Sequence, residues 1–91
     1  MDAEFEWDEA KAARNIEKHG ISFEEAARVF LDPNLTEVEE RAMPYDEVRF
    51  AAVGKLADDV IMVVYTYREE RIRIISARKA HRNERKKYNQ I

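Results

Sequence analysis

Four arginines, Arg68, Arg71, Arg73 and Arg78, fall within the fourteen residues YTYREERIRIISAR at positions 65–78, and KAHRNERKK continues with Lys79, Arg82 and further cations. A guanidinium stays protonated, and its planar fork matches two phosphate oxygens through charge-assisted hydrogen bonds. Ser76 and Tyr88 add hydroxyls, while Glu70, Glu84 and His19 add groups able to move a proton. That set suits phosphodiester chemistry. In RNA cleavage without a metal, the ribose 2′-hydroxyl attacks the adjacent phosphorus, and the protein stabilises the charge that builds on the phosphoryl oxygens. Arg68, Arg73 and Arg78 are the candidate phosphate ligands. Glu70, Glu84, Tyr88 and His19 compete for the proton.

Other chemistries lack their residues. The sequence has no Gly-rich phosphate loop, no nucleophile elbow and no H-E-x-x-H pattern. It has no cysteine and two histidines, His19 and His81, placed far apart, so neither a metal site nor a cofactor is expected. The cysteine count fits a reducing cytosol, and a cytoplasmic location is expected. The acidic start MDAEFEWDEAK does not read as a signal peptide, and no apolar run approaches the ~20 residues of a membrane span, so no membrane partner is expected.

The net charge of −3 conceals a polarity. Residues 1–59 hold seven Lys/Arg against sixteen Asp/Glu, a balance of −9, and residues 60–91 hold nine against three, a balance of +6. Either one face is built for a polyanion, or the two halves pack together and neutralise each other.

The elements that must position these groups form one α+β domain over residues 1–91. Phe5 and Trp7 alternate with Glu4 and Glu6 as a short strand or extended lead-in. Asp8 can cap a helix through EAKAARNIEKH, with Gly20 past its end and an apolar stripe of Ala12, Ala13 and Ile16. Ser22 and Glu25 form a capping box opening a second helix, which turns Phe23, Ala26, Ala27 and Phe30 inward and stops at Asp32-Pro33. LTEVEE is a candidate strand, RAMPYDE a polar loop, VRFAAVGKL an alternating strand. VIMVVYTY, apolar on both faces, reads as a central strand. RIRIISA is the next, and from about Ala77 the chain reads as helical to the end, with Ala77, Ala80, His81, Glu84 and Tyr88 along one face. The expected architecture is two N-terminal helices, an antiparallel sheet of three to four strands and a C-terminal helix.

A turn centred on Glu69-Glu70 places Arg68 opposite Arg71, Tyr67 opposite Ile72, Thr66 opposite Arg73 and Tyr65 opposite Ile74. Alternation then puts Arg68, Arg71, Arg73 and Thr66 on one sheet face. Like charges directly opposite each other cost a few tenths to ~1 kcal/mol, so something anionic is expected to offset them: the acidic half, an acidic partner or phosphate, or simply Glu69 and Glu70 screening an exposed tip. Structural roles compete elsewhere. His19 suits a helix C-terminal cation, His81 a semi-buried helix residue, Trp7 a core anchor or a base-stacking ring, and RNERKK a solvated face or a strip that follows a nucleic-acid backbone.

FEWDEAKAARNIEKHGISFEEAARVFLDP with VVYTYREERIRIISARKAHRNERKKY resembles the BrnT family of bacterial toxins from Phe5 to Tyr88. The resemblance implies a RelE-like fold and a ribonuclease that arrests translation as the toxin of a type II toxin–antitoxin pair. It implies a BrnA-type antitoxin as partner, operator DNA reached only through that antitoxin, and RNA as substrate, and it allows a toxin homodimer inside a toxin–antitoxin heterotetramer. By position it carries the basic hairpin onto Arg68, Arg73, Arg78 and Ser76, and the last helix onto Glu84 and Tyr88. The lead segment falls on Trp7, Asp8, Lys11, Asn15, Lys18 and His19. The set expected to act on RNA is therefore Arg68, Arg73, Glu70 and Arg78 for catalysis, with Arg71, Ser76, Lys79, Arg82, Glu84, Tyr88 and His19 for binding. The competing reading is a non-catalytic module that docks RNA or an antitoxin on the same face.

Overall fold

The computed structural model describes residues 4–40 and 48–90. Its elements are β1 (Phe5–Trp7), α1 (Glu9–His19), α2 (Phe23–Val29), β2 (Thr36–Glu40), β3 (Arg49–Leu56), β4 (Asp59–Arg68), β5 (Arg71–Lys79) and α3 (Arg82–Tyr88). The loop expected at RAMPYDE, residues 41–47, lies outside the described residues.

Local chemistry sets both N-terminal helices as the residue pattern requires. The Asp8 carboxylate accepts the backbone N–H groups of Ala10 and Lys11 at 2.8 and 3.0 Å, and these bonds hold it below the usual carboxylate range. Gly20 ends α1 with φ of 72°, a left-handed conformation open to glycine. Ser22 and Glu25 form the reciprocal capping box of α2. That helix stops at Val29 rather than at Asp32-Pro33, because Phe30, Leu31 and Asp32 turn their N–H groups to carbonyls three residues back.

The sheet order is β1-β5-β4-β3-β2, so β4 is the central strand and is buried along most of its length. Strands β2 to β5 form an antiparallel meander. The expected count of three to four antiparallel strands needs correction. Phe5–Trp7 is a full fifth strand, and it pairs parallel to β5, which makes the sheet mixed. The chain must cross from β1 at one edge to β2 at the other, and α1 and α2 make that crossing over one sheet face.

Under those helices Phe23, Ala26 and Val29 meet Ala52, Ile61, Val63, Tyr65, Ile72, Ile74 and Ala77 in one core. Gly54 is a packing requirement there: a Cβ would stand 2.9 Å from the side chains of both Val29 and Leu35. Trp7 is a core anchor, edge-on to Phe23 at 6.0 Å between ring centroids. The apolar stripe expected on α1 is also corrected. Ala13 and Ile16 face solvent, and the buried positions are Ala12 and Asn15, a polar side chain whose role is to finish the sheet edge.

The opposite sheet face is covered at one end by α3, where Tyr88 and Ala80 pack with Val53 and Val60. The Tyr88 hydroxyl donates to Asp32, which also accepts the backbone N–H of Lys55 at 2.7 Å, so the end of α3 is tied to the α2–β2 connection. Helix α3 starts later than expected. Residues 77–79 continue β5, because β4 supplies pairing partners as far as Lys79, and exposed His81 is the N-cap rather than a semi-buried helix residue.

Candidate nucleic-acid interface

The β4–β5 hairpin has the expected register: Arg68 opposite Arg71, Tyr67 opposite Ile72, Thr66 opposite Arg73 and Tyr65 opposite Ile74. Its two-residue turn is made by Glu69 and Glu70, both left-handed at φ of 52° and 69°. Two left-handed residues match the twist of the strands, although neither is the glycine or asparagine such a turn favours.

Beyond Ile74 the register shifts. Tyr65 pairs with Ile74 but Val64 pairs with Ser76, which leaves Ile75 as the extra residue of a bulge. Strict alternation would have turned Arg78 to the helix-covered side. The bulge reverses that parity, so Ser76 and Arg78 share the face of Arg68, Arg71 and Arg73. The signal for it is the doubled isoleucine of RIRIISAR, where alternation breaks phase.

The acidic half of the chain supplies the anions beside Arg71 and Arg73. Arg71 Nε lies 3.1 Å from Glu4, Arg71 also lies 3.6 Å from Glu6, and Arg73 donates to Glu6 at 2.9 Å. Both carboxylates flank Phe5 on β1, which its parallel pairing sets beside Ile72–Ile74. The Arg73 hydrogen bond, aided by the charges of Arg71 and Arg68, holds Glu6 below the usual carboxylate range. Arg78 forks onto Glu84 of α3 at 2.8 and 2.9 Å and reaches Met62 Sδ at 2.7 Å. Glu84 also accepts the backbone N–H of His81 at 2.7 Å, and Arg78 is the main reason its carboxyl is pulled down to about 2. Arg68, exposed at the hairpin tip, has no carboxylate within ion-pair distance among the described residues.

The remaining candidates scatter. Glu70 sits in the exposed tip turn, and Lys79 lies opposite Ile61, on the parity of the helix-covered side. Arg82 opens α3 and is exposed. Tyr88 is buried against Val60 and Ala80 with its hydroxyl given to Asp32, whose bond pushes the phenol up; its position is a packing one. His19 ends α1, away from the arginine row.

His19 belongs to a second cationic region. Strand β1 stops at Trp7, opposite Ile74, so the edge of β5 is unpaired from Ile75 onward. Asn15 takes the place of the missing strand. Its amide accepts the Ala77 N–H at 3.1 Å and donates to the Ala77 carbonyl and the Ile21 carbonyl, each at 2.9 Å. Between α1 and this edge is a cavity of about 320 Å³ lined by Lys11, Arg14, Asn15, Lys18, His19, Ile75 and Ser76. Lys11, Arg14 and Lys18 stand outside the candidate set drawn from the hairpin. Lys11, Asn15, Lys18 and His19 belong to the lead segment that the resemblance marks, and Arg14 joins them because positions 11, 14, 15 and 18 share one face of α1.

Among the described residues no group of three His, Asp or Glu side chains converges to hold a metal ion, and no helix is long and apolar enough to cross a membrane. The model of a family described as the ribonuclease toxin, BrnT, of type II toxin–antitoxin systems matches residues 7–84. No curated protein matches the chain.

Proposed function

The chain belongs to the BrnT family of ribonuclease toxins of type II toxin–antitoxin systems, and from that premise we propose that it is an endoribonuclease whose RNA-facing surface is the arginine face of β4 and β5. The observation that carries this reading is the bulge at Ile75, which gathers Arg68, Arg71, Arg73, Ser76 and Arg78 on one side of the sheet. The carboxylates then act as aiming devices. Glu6 engages one terminal nitrogen of Arg73, so the guanidinium keeps other donors for a phosphate while its orientation is fixed. Arg68 closes the row at the tip. Arg78, forked onto Glu84, fixes α3 against the end of the row rather than gripping RNA first.

In this reading the 2′-hydroxyl of the substrate is the nucleophile, the departing group is the 5′-oxygen of the next nucleotide, and no metal takes part. Arg68 and Arg73 stabilise the charge on the non-bridging oxygens, where fixed cations act most strongly. Cleavage of RNA would arrest translation. The partner is an antitoxin, of BrnA type, whose acidic or apolar segments cover the same face and which alone contacts operator DNA.

The test is cleavage of a labelled RNA by the purified protein with EDTA present. Fragments ending in 2′,3′-cyclic phosphate, lost in Arg73→Ala, support the reading. Saturable binding of RNA that stays full-length favours a binding module and rejects the enzyme.

A further inference from the structure

The cavity between α1 and the β5 edge gathers cations that, like Arg68 at the hairpin tip, form no close ion pair among the described residues; Asp8, ahead of α1, acts on Lys11 and Arg14 only through its charge at longer range. Lys11, Arg14 and Lys18 project from one face of α1, His19 ends that helix, and none of the four has a carboxylate within ion-pair distance among the described residues. Each arginine of β5, by contrast, is joined to Glu4, Glu6 or Glu84. Like charges gathered around a concavity repel one another, and an anion that enters it relieves that repulsion.

The site is built rather than incidental. Asn15, 6% exposed, fixes α1 to Ala77 and to the α1–α2 connection, so the cationic face cannot rotate away from β5. Ile75, the extra residue of the bulge, lines the cavity. Ser76, which lines the cavity, also has the parity of Arg73 and Arg78, so the cavity adjoins the arginine face. Four of the seven lining residues, Lys11, Arg14, Lys18 and His19, are basic and none is acidic. Nucleic-acid interfaces are polar and strongly positive.

We propose that this cavity is a second phosphate site. It takes a backbone phosphate of the same RNA strand that crosses the arginine face, with Lys11, Lys18 and His19 as its ligands and Ser76 as the link between the two regions. The identity of the ligand rests on the ribonuclease reading; the existence of an anion site does not.

The experiment uses the full chain, a 2′-O-methyl RNA octanucleotide that cannot be cleaved by 2′-hydroxyl attack, and inorganic phosphate. Binding is followed by the His19 imidazole and Ser76 amide resonances, and affinity is measured across a salt series. Both resonances are expected to move with the RNA and, at higher concentration, with phosphate. The double variant Lys11→Ala/Lys18→Ala, at exposed positions, keeps its melting temperature, binds RNA about tenfold more weakly, and loses about 0.7 from the slope of log affinity against log salt, the value for one phosphate contact on a single strand. An unchanged affinity and slope in the double variant, or His19 and Ser76 resonances that respond to an acidic peptide but not to RNA, overturns the proposal. Failure of the two readings is separable. If the wild type binds at the cavity but leaves unmodified RNA intact, the ribonuclease fails and the phosphate site stands. If the wild type cleaves RNA and the double variant binds and cleaves equally well, the phosphate site fails alone.

Discussion

The two basic regions differ in what sits beside each charge. On β5 the arginines are tethered: Arg71 and Arg73 to carboxylates flanking Phe5, Arg78 to Glu84. Around the α1 cavity Lys11, Arg14 and Lys18 are untethered among the described residues, on long side chains with freedom to rearrange. A tethered guanidinium has lost its rotamer entropy before a ligand arrives but has part of its charge cancelled. An untethered lysine keeps its full charge but must be ordered on binding. The first arrangement favours geometry and hence selective stabilisation of a transition state; the second favours attraction. The difference suggests a division of labour along one RNA strand.

The largest effect expected is on the tethered side. Arg73→Ala lowers the rate of RNA cleavage by about 100-fold or more, the cost of removing one fixed donor to a developing oxyanion, with RNA affinity changed far less. Equal losses in rate and affinity would break the comparison. Asn15→Ala comes next, because it leaves the N–H and carbonyl of Ala77 and the carbonyl of Ile21 unpaired, at about 2–4 kcal/mol in total by urea unfolding. Glu84→Gln tests the tether of Arg78 and costs about 1–2 kcal/mol near neutral pH. Its pH dependence has a definite sign. The folded pKa of about 2 lies below the ordinary 4.5, so the bridge stabilises the protein fully above about pH 4.5 and is lost as pH falls toward 2. Melting temperatures of wild type and variant should therefore converge over that window. The smallest effect sharpens the contrast most. Glu6→Gln untethers Arg73 and is expected to raise RNA affinity a few-fold, on the order of one added phosphate contact, while cleavage falls.

Much of this arrangement was legible in the residues. The Glu69-Glu70 centre and period-two alternation yield the hairpin register, because pairing across a two-residue turn is arithmetic. Asp8, Gly20 and the Ser22–Glu25 box mark helix ends through local bonds that sequence distance alone brings together. What was not legible depends on tertiary contact. Nothing local shows that three residues at Phe5 add a parallel strand to β5, sixty-seven positions away, and so bring Glu6 to Arg73. Asn15 falls in the segment that the resemblance marks, but its role as an edge cap is not legible, since its partners Ile21 and Ala77 meet it only after folding. The tail at 77–79 reads as helix from the propensity of ARKAHRNERKK, and it is strand because pairing with β4 outweighs that propensity.

The side-chain cap at Ala77 also bears on self-association. An open strand edge is a template onto which another chain can add by backbone pairing. At this side of the sheet the three-residue β1 occupies one stretch of β5 and the Asn15 amide occupies the Ala77 stretch. The opposite rim is β2, which pairs with β3 along its whole length, Thr36–Glu40. The carboxamide at Ala77 thus does for one stretch of β5 what a further strand would do, and a second chain finds no open backbone pair there to extend.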